Sequence, residues 1–196
     1  MSLAKQAKTL TKPQIDAVLG YLTTTRYPVR YRVIFLLSVR AGLRAKEIAS
    51  LTWDMVTDAE GSLTDLISLP NAASKGKRGG RAIPMSKDLR AALSALKAEA
   101  QKEVHRSPFV ISTERAVQTS SYAIVNKFRA WYSALGFQGA SSHSGRRTAI
   151  TSWARKISSV GGSLRDVQLL AGHSALTTTQ RYIEGCDEAK RKVVEN

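Results

Sequence analysis

The sequence predicts a mainly α-helical domain with a small antiparallel β-sheet near its middle. Two patterns carry this. Apolar residues recur at three- and four-residue spacing over most of the chain. The exceptions are two short runs, Leu66 to Leu69 and Arg81-Ala82-Ile83-Pro84, which flank a stretch rich in Gly, Lys and Ser from Asn71 to Gly80. Such runs around a basic turn read as a hairpin. With 196 residues, 43% of them hydrophobic, the chain has ample apolar content for one sizeable core.

Taken in order, Thr11-Lys12-Pro13-Gln14 is a helix start. Thr11 is the cap, Gln14 closes a capping box and Pro13 suits the first turn. Ile15, Val18, Leu19 and Leu22 share a face, so a helix is expected to about Thr24. Tyr27-Pro28 opens a second, whose run from Val33 to Val39 reads as buried and is closed by Gly42. Leu43 to Leu51 is a short helix, and Thr52 to Val56 is expected to be a strand. After the hairpin, Ser86 caps a helix through Leu89, Leu93 and Leu96. Phe109 to Ile111 is extended. Ser120 or Ser121 opens a helix holding Ile124, Phe128 and Trp131, ended by Gly136. Three helical pieces remain, at Ser144 to about Ile157, Ser163 to Ala171 and Thr177 to Ile183. Residues 1–10 are expected to form a flexible N-terminal tail and 186–196 a C-terminal tail around a single domain.

Charge narrows the function. Thirty Lys+Arg face fifteen Asp+Glu, a net +15, and a field of that size draws polyanions. Nucleic acid comes first and anionic membrane second. No apolar run approaches the roughly 20 residues that span a bilayer, and Met1 to Lys12 is polar and basic. Cys186 is the only cysteine, so no internal disulfide forms, which fits a reducing cytosol.

Four polar features stand out. Arg44 follows Ala41-Gly42-Leu43, where a tight turn aims it; taken alone it is an ordinary helix-end arginine. His143-Ser144-Gly145-Arg146-Arg147 puts His143 and Arg146 three apart, on one helical face. An arginine there forks around a phosphate, though a solvated basic helix start fits equally. With three histidines and one distant cysteine, zinc lacks ligands. His173 follows Gly172, where a structural role is the plainer reading, and Lys75 sits in the basic turn. His105 has no motif around it and reads as surface.

Together these motifs are similar to those of the tyrosine recombinase (phage integrase) family. Ala-Gly-Leu-Arg-x-x-Glu-Ile comes first, then a lysine in a β-turn, His-x-x-Arg-Arg-Thr, Leu-x-Gly-His, and Thr-Gln-Arg before a tyrosine. The resemblance runs from about Leu10 to Ile183. It implies the catalytic-domain fold of DNA breaking-rejoining enzymes and a site-specific recombinase or integrase. Such an enzyme cuts and rejoins DNA through a covalent 3′-phosphotyrosine, with no metal, cofactor or ATP. By the same resemblance Tyr182 is the nucleophile, Arg44 and Arg146 grip the scissile phosphate, and His143 and His173 assist. Lys75 is the general acid, with Lys77 the alternative. Lys77, Arg78, Arg81, Arg147 and Arg181 are expected to touch DNA. The family's usual N-terminal DNA-clamping domain finds no room here, so a short-form enzyme or an excised domain is expected. Gly145 stands where leucine is commoner, which implies some loss of packing.

The partner implied is double-stranded DNA. Four protomers assemble on it, from a monomer in solution, with residues 186–196 a candidate exchange segment and DNA-bending proteins as possible accessories. The setting implied is cytoplasmic, on the nucleoid. Two alternatives share these motifs: a type IB topoisomerase-like relaxing enzyme, and a DNA-binding regulator that has lost the chemistry. A basic scaffold for acidic proteins explains the charge but not the motifs.

Overall fold

The computed structural model describes residues 7–70, 80–102, 107–114 and 116–182. The element order is α1 (Lys12–Thr23), α2 (Pro28–Val39), α3 (Ala45–Ala49), β1 (Leu66–Leu69), β2 (Arg81–Pro84), α4 (Lys87–Ala100), α5 (Ser121–Ala134), α6 (Ser144–Lys156), α7 (Leu164–Ala171) and α8 (Leu176–Gln180). The mostly helical class with a small antiparallel sheet is therefore as expected. The chain divides into two compact units, Met1–Ala149 and Ile150–Asn196, with the division falling inside α6.

In the first unit the core gathers on α2. Its residues from Val33 to Val39 are all buried, because an apolar run on every face of a helix has to be covered on every face. Leu22 of α1, Leu89 and Leu93 of α4, and Ile124 and Phe128 of α5 belong to the same cluster. Each such side chain contributes roughly 1.5–3 kcal/mol relative to exposure. The capping box of α1 forms as read: Thr11 N–H donates to Gln14 Oε1 at 2.9 Å, and Gln14 N–H to Thr11 Oγ1 at 3.4 Å. β1 and β2 pair antiparallel with Leu66 opposite Pro84 and Leu69 opposite Arg81. Alternation buries Ile67, Leu69 and Ile83.

Several local expectations change. Residues 52–56 are not a strand. Thr52 pairs with Phe109 in an isolated bridge, and Trp53–Met55 then tightens into a 3₁₀ turn. The chain there folds back on itself, with Met55 N–H donating to the Thr52 carbonyl at 3.2 Å. The tail is shorter than 1–10, since Leu10 is buried in the core and its N–H donates to Thr148 Oγ1 at 2.7 Å. α6 does begin at Ser144 as expected, with His143 just ahead of it and the His143 carbonyl accepting the Arg147 N–H at 2.9 Å. The last helix ends at Gln180, before Tyr182.

Gly145 also departs from expectation. A Cβ at this position would lie 2.4 Å from Ser38 Oγ and 3.0 Å from Ser38 Cβ. Far from leaving a gap, the glycine allows the first turn of α6 to sit directly against α2. Ser38 is itself fully buried, and its hydroxyl has no hydrogen-bond partner among the described residues. The two small residues are thus a matched pair.

The second unit has its own small core of Ile150, Val167 and Ala171, with Trp153, Ala154, Ile157, Leu164 and Tyr182 packed on it. Ser163 and Asp166 start α7: the Asp166 carboxylate accepts the Ser163 N–H at 2.7 Å. Gly172 ends it in the left-handed region at φ 63°, a conformation glycine adopts without strain.

The matched pair makes a prediction. Gly145→Ala gains helix propensity but is overpacked, so chemical denaturation should show a net loss of about 1–3 kcal/mol. In a Ser38→Ala background that loss should shrink, since the nearest atom is gone. Equal losses in both backgrounds would mean that the close approach does not matter.

Candidate active site

Arg44 stands at the N-terminus of α3, aimed by the turn before it. Gly42 takes φ 63°, which lets Leu43 N–H reach back to the Leu37 carbonyl at 3.0 Å. Leu43 is fully buried and anchors the turn. Arg146, on the first turn of α6, is 4% exposed. Its Nη1 donates to the Gly42 carbonyl. The Arg146 guanidinium is therefore held at the turn that delivers Arg44 two residues later. His143 is exposed, just ahead of α6, with its N–H donating to Ser141 Oγ at 3.3 Å.

Arg44 is also fixed by Glu47, a residue for which the sequence reading found no task. The carboxylate accepts the Arg44 backbone N–H at 2.8 Å and Arg44 Nη1 at 2.9 Å. It accepts Arg81 as well, Nη1 to Oε1 and Nη2 to Oε2, both at 3.0 Å. Glu47 is 2% exposed. Burial pushes its pKa up, but the hydrogen bonds and charge of Arg81, joined by those of Arg44, hold the carboxyl below its ordinary value. Arg81, expected among the groove-reaching cations, has its side chain only 7% exposed and turned onto this carboxylate. One signal for Glu47 was available: a carboxylate three residues after Arg44, in a short helix of otherwise apolar burial, shares Arg44's face.

In the second unit, His173 is held from several sides. Its N–H donates to the Gln168 carbonyl at 3.1 Å and the Gly172 N–H to the Leu169 carbonyl at 3.0 Å, the paired bonds of a left-handed glycine cap. Gln168 Nε2 donates to the His173 carbonyl at 3.0 Å. The ring Nδ1 lies 3.0 Å from Thr179 Oγ1, and Thr179 is fully buried. That contact fixes the ring plane, and the tautomer sets which partner donates. Tyr182 is half-buried and stacks on His173, with centroids 5.3 Å apart and planes at 24°. Its N–H donates to the Thr179 carbonyl at 2.9 Å, so Thr179 serves both residues. Thr179 is a second residue the sequence reading passed over; a polar residue in a five-residue helix carries little signal.

The structure thus brings Arg146 to the turn that carries Arg44 in the first unit, with His143 just ahead of α6, and pairs His173 with Tyr182 in the second. Arg147 is half-buried on α6 and Arg181 is exposed beside Tyr182. Lys75, Lys77, Arg78, His105, Cys186 and the exchange segment 186–196 lie outside the described residues. Among the described residues, no three or more His, Cys, Asp or Glu side chains are grouped so as to hold a metal. No described helix is long and apolar enough to cross a membrane.

Comparison with known proteins bears on the fold and the family. A curated relative, tyrosine recombinase XerC of Chlamydia muridarum (strain MoPn / Nigg), is 28% identical over 189 residues. The match covers 94% of this chain and 53% of the relative, so the chain spans about half that relative's length. Among solved structures, the XerA recombinase superposes with a TM-score of 0.75 at 21% identity, covering 94% of this chain and 63% of the other. The XerH recombinase bound to difH in a pre-cleavage complex gives 0.74 at 16% identity, over 99% of this chain and 55% of the other. The Tn1549 integrase in complex with transposon right-end DNA gives 0.72 at 18%, over 99% and 67%. At such identities these structures establish the fold alone. The family model for the phage integrase family matches residues 8–188, nearly the whole chain, and the protein belongs to that family.

Proposed function

We propose that this chain performs the strand transfer of a site-specific DNA recombinase or integrase. The observation that carries the reading is the turn at Gly42 to Arg44: two guanidinium groups are held there, one hydrogen-bonded to the Gly42 carbonyl and the other to Glu47. Two permanent cations, each braced by protein acceptors, suit a dianionic phosphorane better than a neutral substrate.

In this reading the phenol oxygen of Tyr182 attacks the scissile phosphorus, and the bond to the 5′ oxygen breaks. The phosphate stays joined to the 3′ end through tyrosine. Arg44 and Arg146 bind the non-bridging oxygens, where charge grows in the transition state. A phenol's ordinary pKa is about 10, so the attack needs a base, and His143 is the candidate. His173 adds a hydrogen bond to the phosphate. The 5′ oxygen leaves as an alcohol after taking a proton, which Lys75 supplies as general acid, with Lys77 the alternative. The ester keeps the energy of the phosphodiester, so a new 5′-hydroxyl rejoins the strand by the reverse attack without ATP. Lys77, Arg78, Arg147 and Arg181 supply backbone contacts to duplex DNA, and the net charge of +15 steers it in. Exchange between two duplexes, each cut on both strands, calls for four protomers on DNA, assembled from monomers on the nucleoid. Residues 186–196 are the proposed exchange segment, and DNA-bending proteins are the proposed accessories.

Two experiments test the assignments. A pool of suicide duplexes, randomised around a nick, should trap a covalent protein–DNA adduct with the native chain and none with Tyr182→Phe. An adduct with Tyr182→Phe removes the nucleophile assignment, and relaxation of any plasmid without recombinant products favours the topoisomerase reading. For the acid, a 5′-bridging sulfur provides a leaving group that needs no proton. It should restore cleavage by Lys75→Ala, while Lys77→Ala should gain nothing from the sulfur. A rescue confined to Lys77→Ala reverses the two lysines.

A further inference from the structure

We infer that Arg81 is a positioning residue for Arg44, acting through Glu47, and not a DNA contact. This rests on the function proposed above. The basic stretch leading to β2 makes Arg81 look like one more groove-seeking cation. Its side chain is instead nearly as buried as the carboxylate it meets, at 7% against 2%. The fork is bidentate, with both terminal nitrogens at 3.0 Å from Glu47. Arg44 meets the same two oxygens, its Nη1 on Oε1 and its backbone N–H on Oε2. Each carboxylate oxygen therefore accepts two donors, which fills its lone pairs. Nothing remains for the carboxylate to gain by rotating, and the Arg44 side chain is held against a fixed partner.

Charge gives the second half of the argument. A lone Glu47 would neutralise Arg44, and a neutralised arginine stabilises poorly the extra charge that grows on the phosphate in the transition state. Arg81 adds a second cation to the same carboxylate, so the three groups together carry a net +1. Arg44 is the more open of the two arginines, its side chain 28% exposed against 7% for Arg81. The surplus positive charge is thus presented on the Arg44 side. Arg81 sits at the start of β2, opposite Leu69 of β1, so the sheet itself holds the fork. Lysine cannot replace it, since one ammonium does not span both oxygens in this geometry.

The test uses single-turnover adduct formation on the same suicide duplexes at saturating DNA, with binding measured across a salt series. Arg81→Lys and Arg81→Gln should slow cleavage by about 10- to 100-fold, the scale of a small misplacement of a catalytic group. DNA affinity should stay within about twofold, and the salt slope should be unchanged. A residue that touches a phosphate behaves differently, lowering the slope by about one when removed. In an Arg44→Lys background, Arg81→Lys should cost less than about threefold more, because two changes acting through one group do not add. An unchanged cleavage rate, a shallower salt slope, or full additivity with Arg44→Lys overturns the proposal; the last would mark a general structural role. Arg81→Lys keeps the buried charge and covers the case in which Arg81→Gln does not fold. If the native chain itself forms no adduct, the proposed function falls, and this inference with it.

Discussion

Glu47 is a carboxylate almost wholly withdrawn from water, and burial by itself opposes its charge. Arg81 and Arg44 reverse that balance. Because the folded pKa is depressed, the stabilisation from this cluster is present above the ordinary glutamate value and is lost as pH falls through the folded one. The arrangement is local in chemistry but not in sequence. It joins α3 to β2 across 34 positions and sets where Arg44 stands. Arg146 is tied to the same place by a different device, its contact with the Gly42 carbonyl. That contact in turn requires the first turn of α6 to lie on α2, which is why Gly145 and Ser38 are both small. The placement of the two arginines therefore depends on backbone approach and one shared anion more than on surface charge.

The second unit solves a separate problem with fewer atoms. A left-handed glycine stops α7, and the next residue is held by backbone bonds on both sides. Thr179 braces the His173 ring and accepts the Tyr182 N–H at its carbonyl. Tyr182 stacks on that ring. The stacked arrangement holds the Tyr182 ring on the small core of Ile150, Val167 and Ala171.

Much of this was legible in the sequence wherever the signal is periodic or conformational. The capping box at Thr11 and Gln14, the all-apolar run of α2 and the glycine stop at Gly172 each follow from local rules, and each is present. The order of the motifs carried the family. What escaped was non-local. The bidentate pairing of Glu47 with Arg81 has no spacing to betray it, and in sequence this inward-facing arginine looks like any other cation of a basic stretch. Gly145 looked like a packing defect because its meaning lies in Ser38, more than a hundred residues earlier. Residues 52–56 have the composition of a strand, but after its bridge to Phe109 the chain turns back before a strand can continue.

The central claim is a covalent bond between Tyr182 and the 3′ side of a cut DNA strand. The most direct measurement is to trap the adduct on a suicide duplex, digest both protein and DNA, and locate the residual nucleotide on the peptides by mass spectrometry. The account predicts one modified peptide, with the phosphoryl mass on Tyr182 and a free 5′-hydroxyl on the departing strand. A nucleotide on any other side chain, or a 3′-hydroxyl end with the phosphate left on the 5′ side, would contradict it.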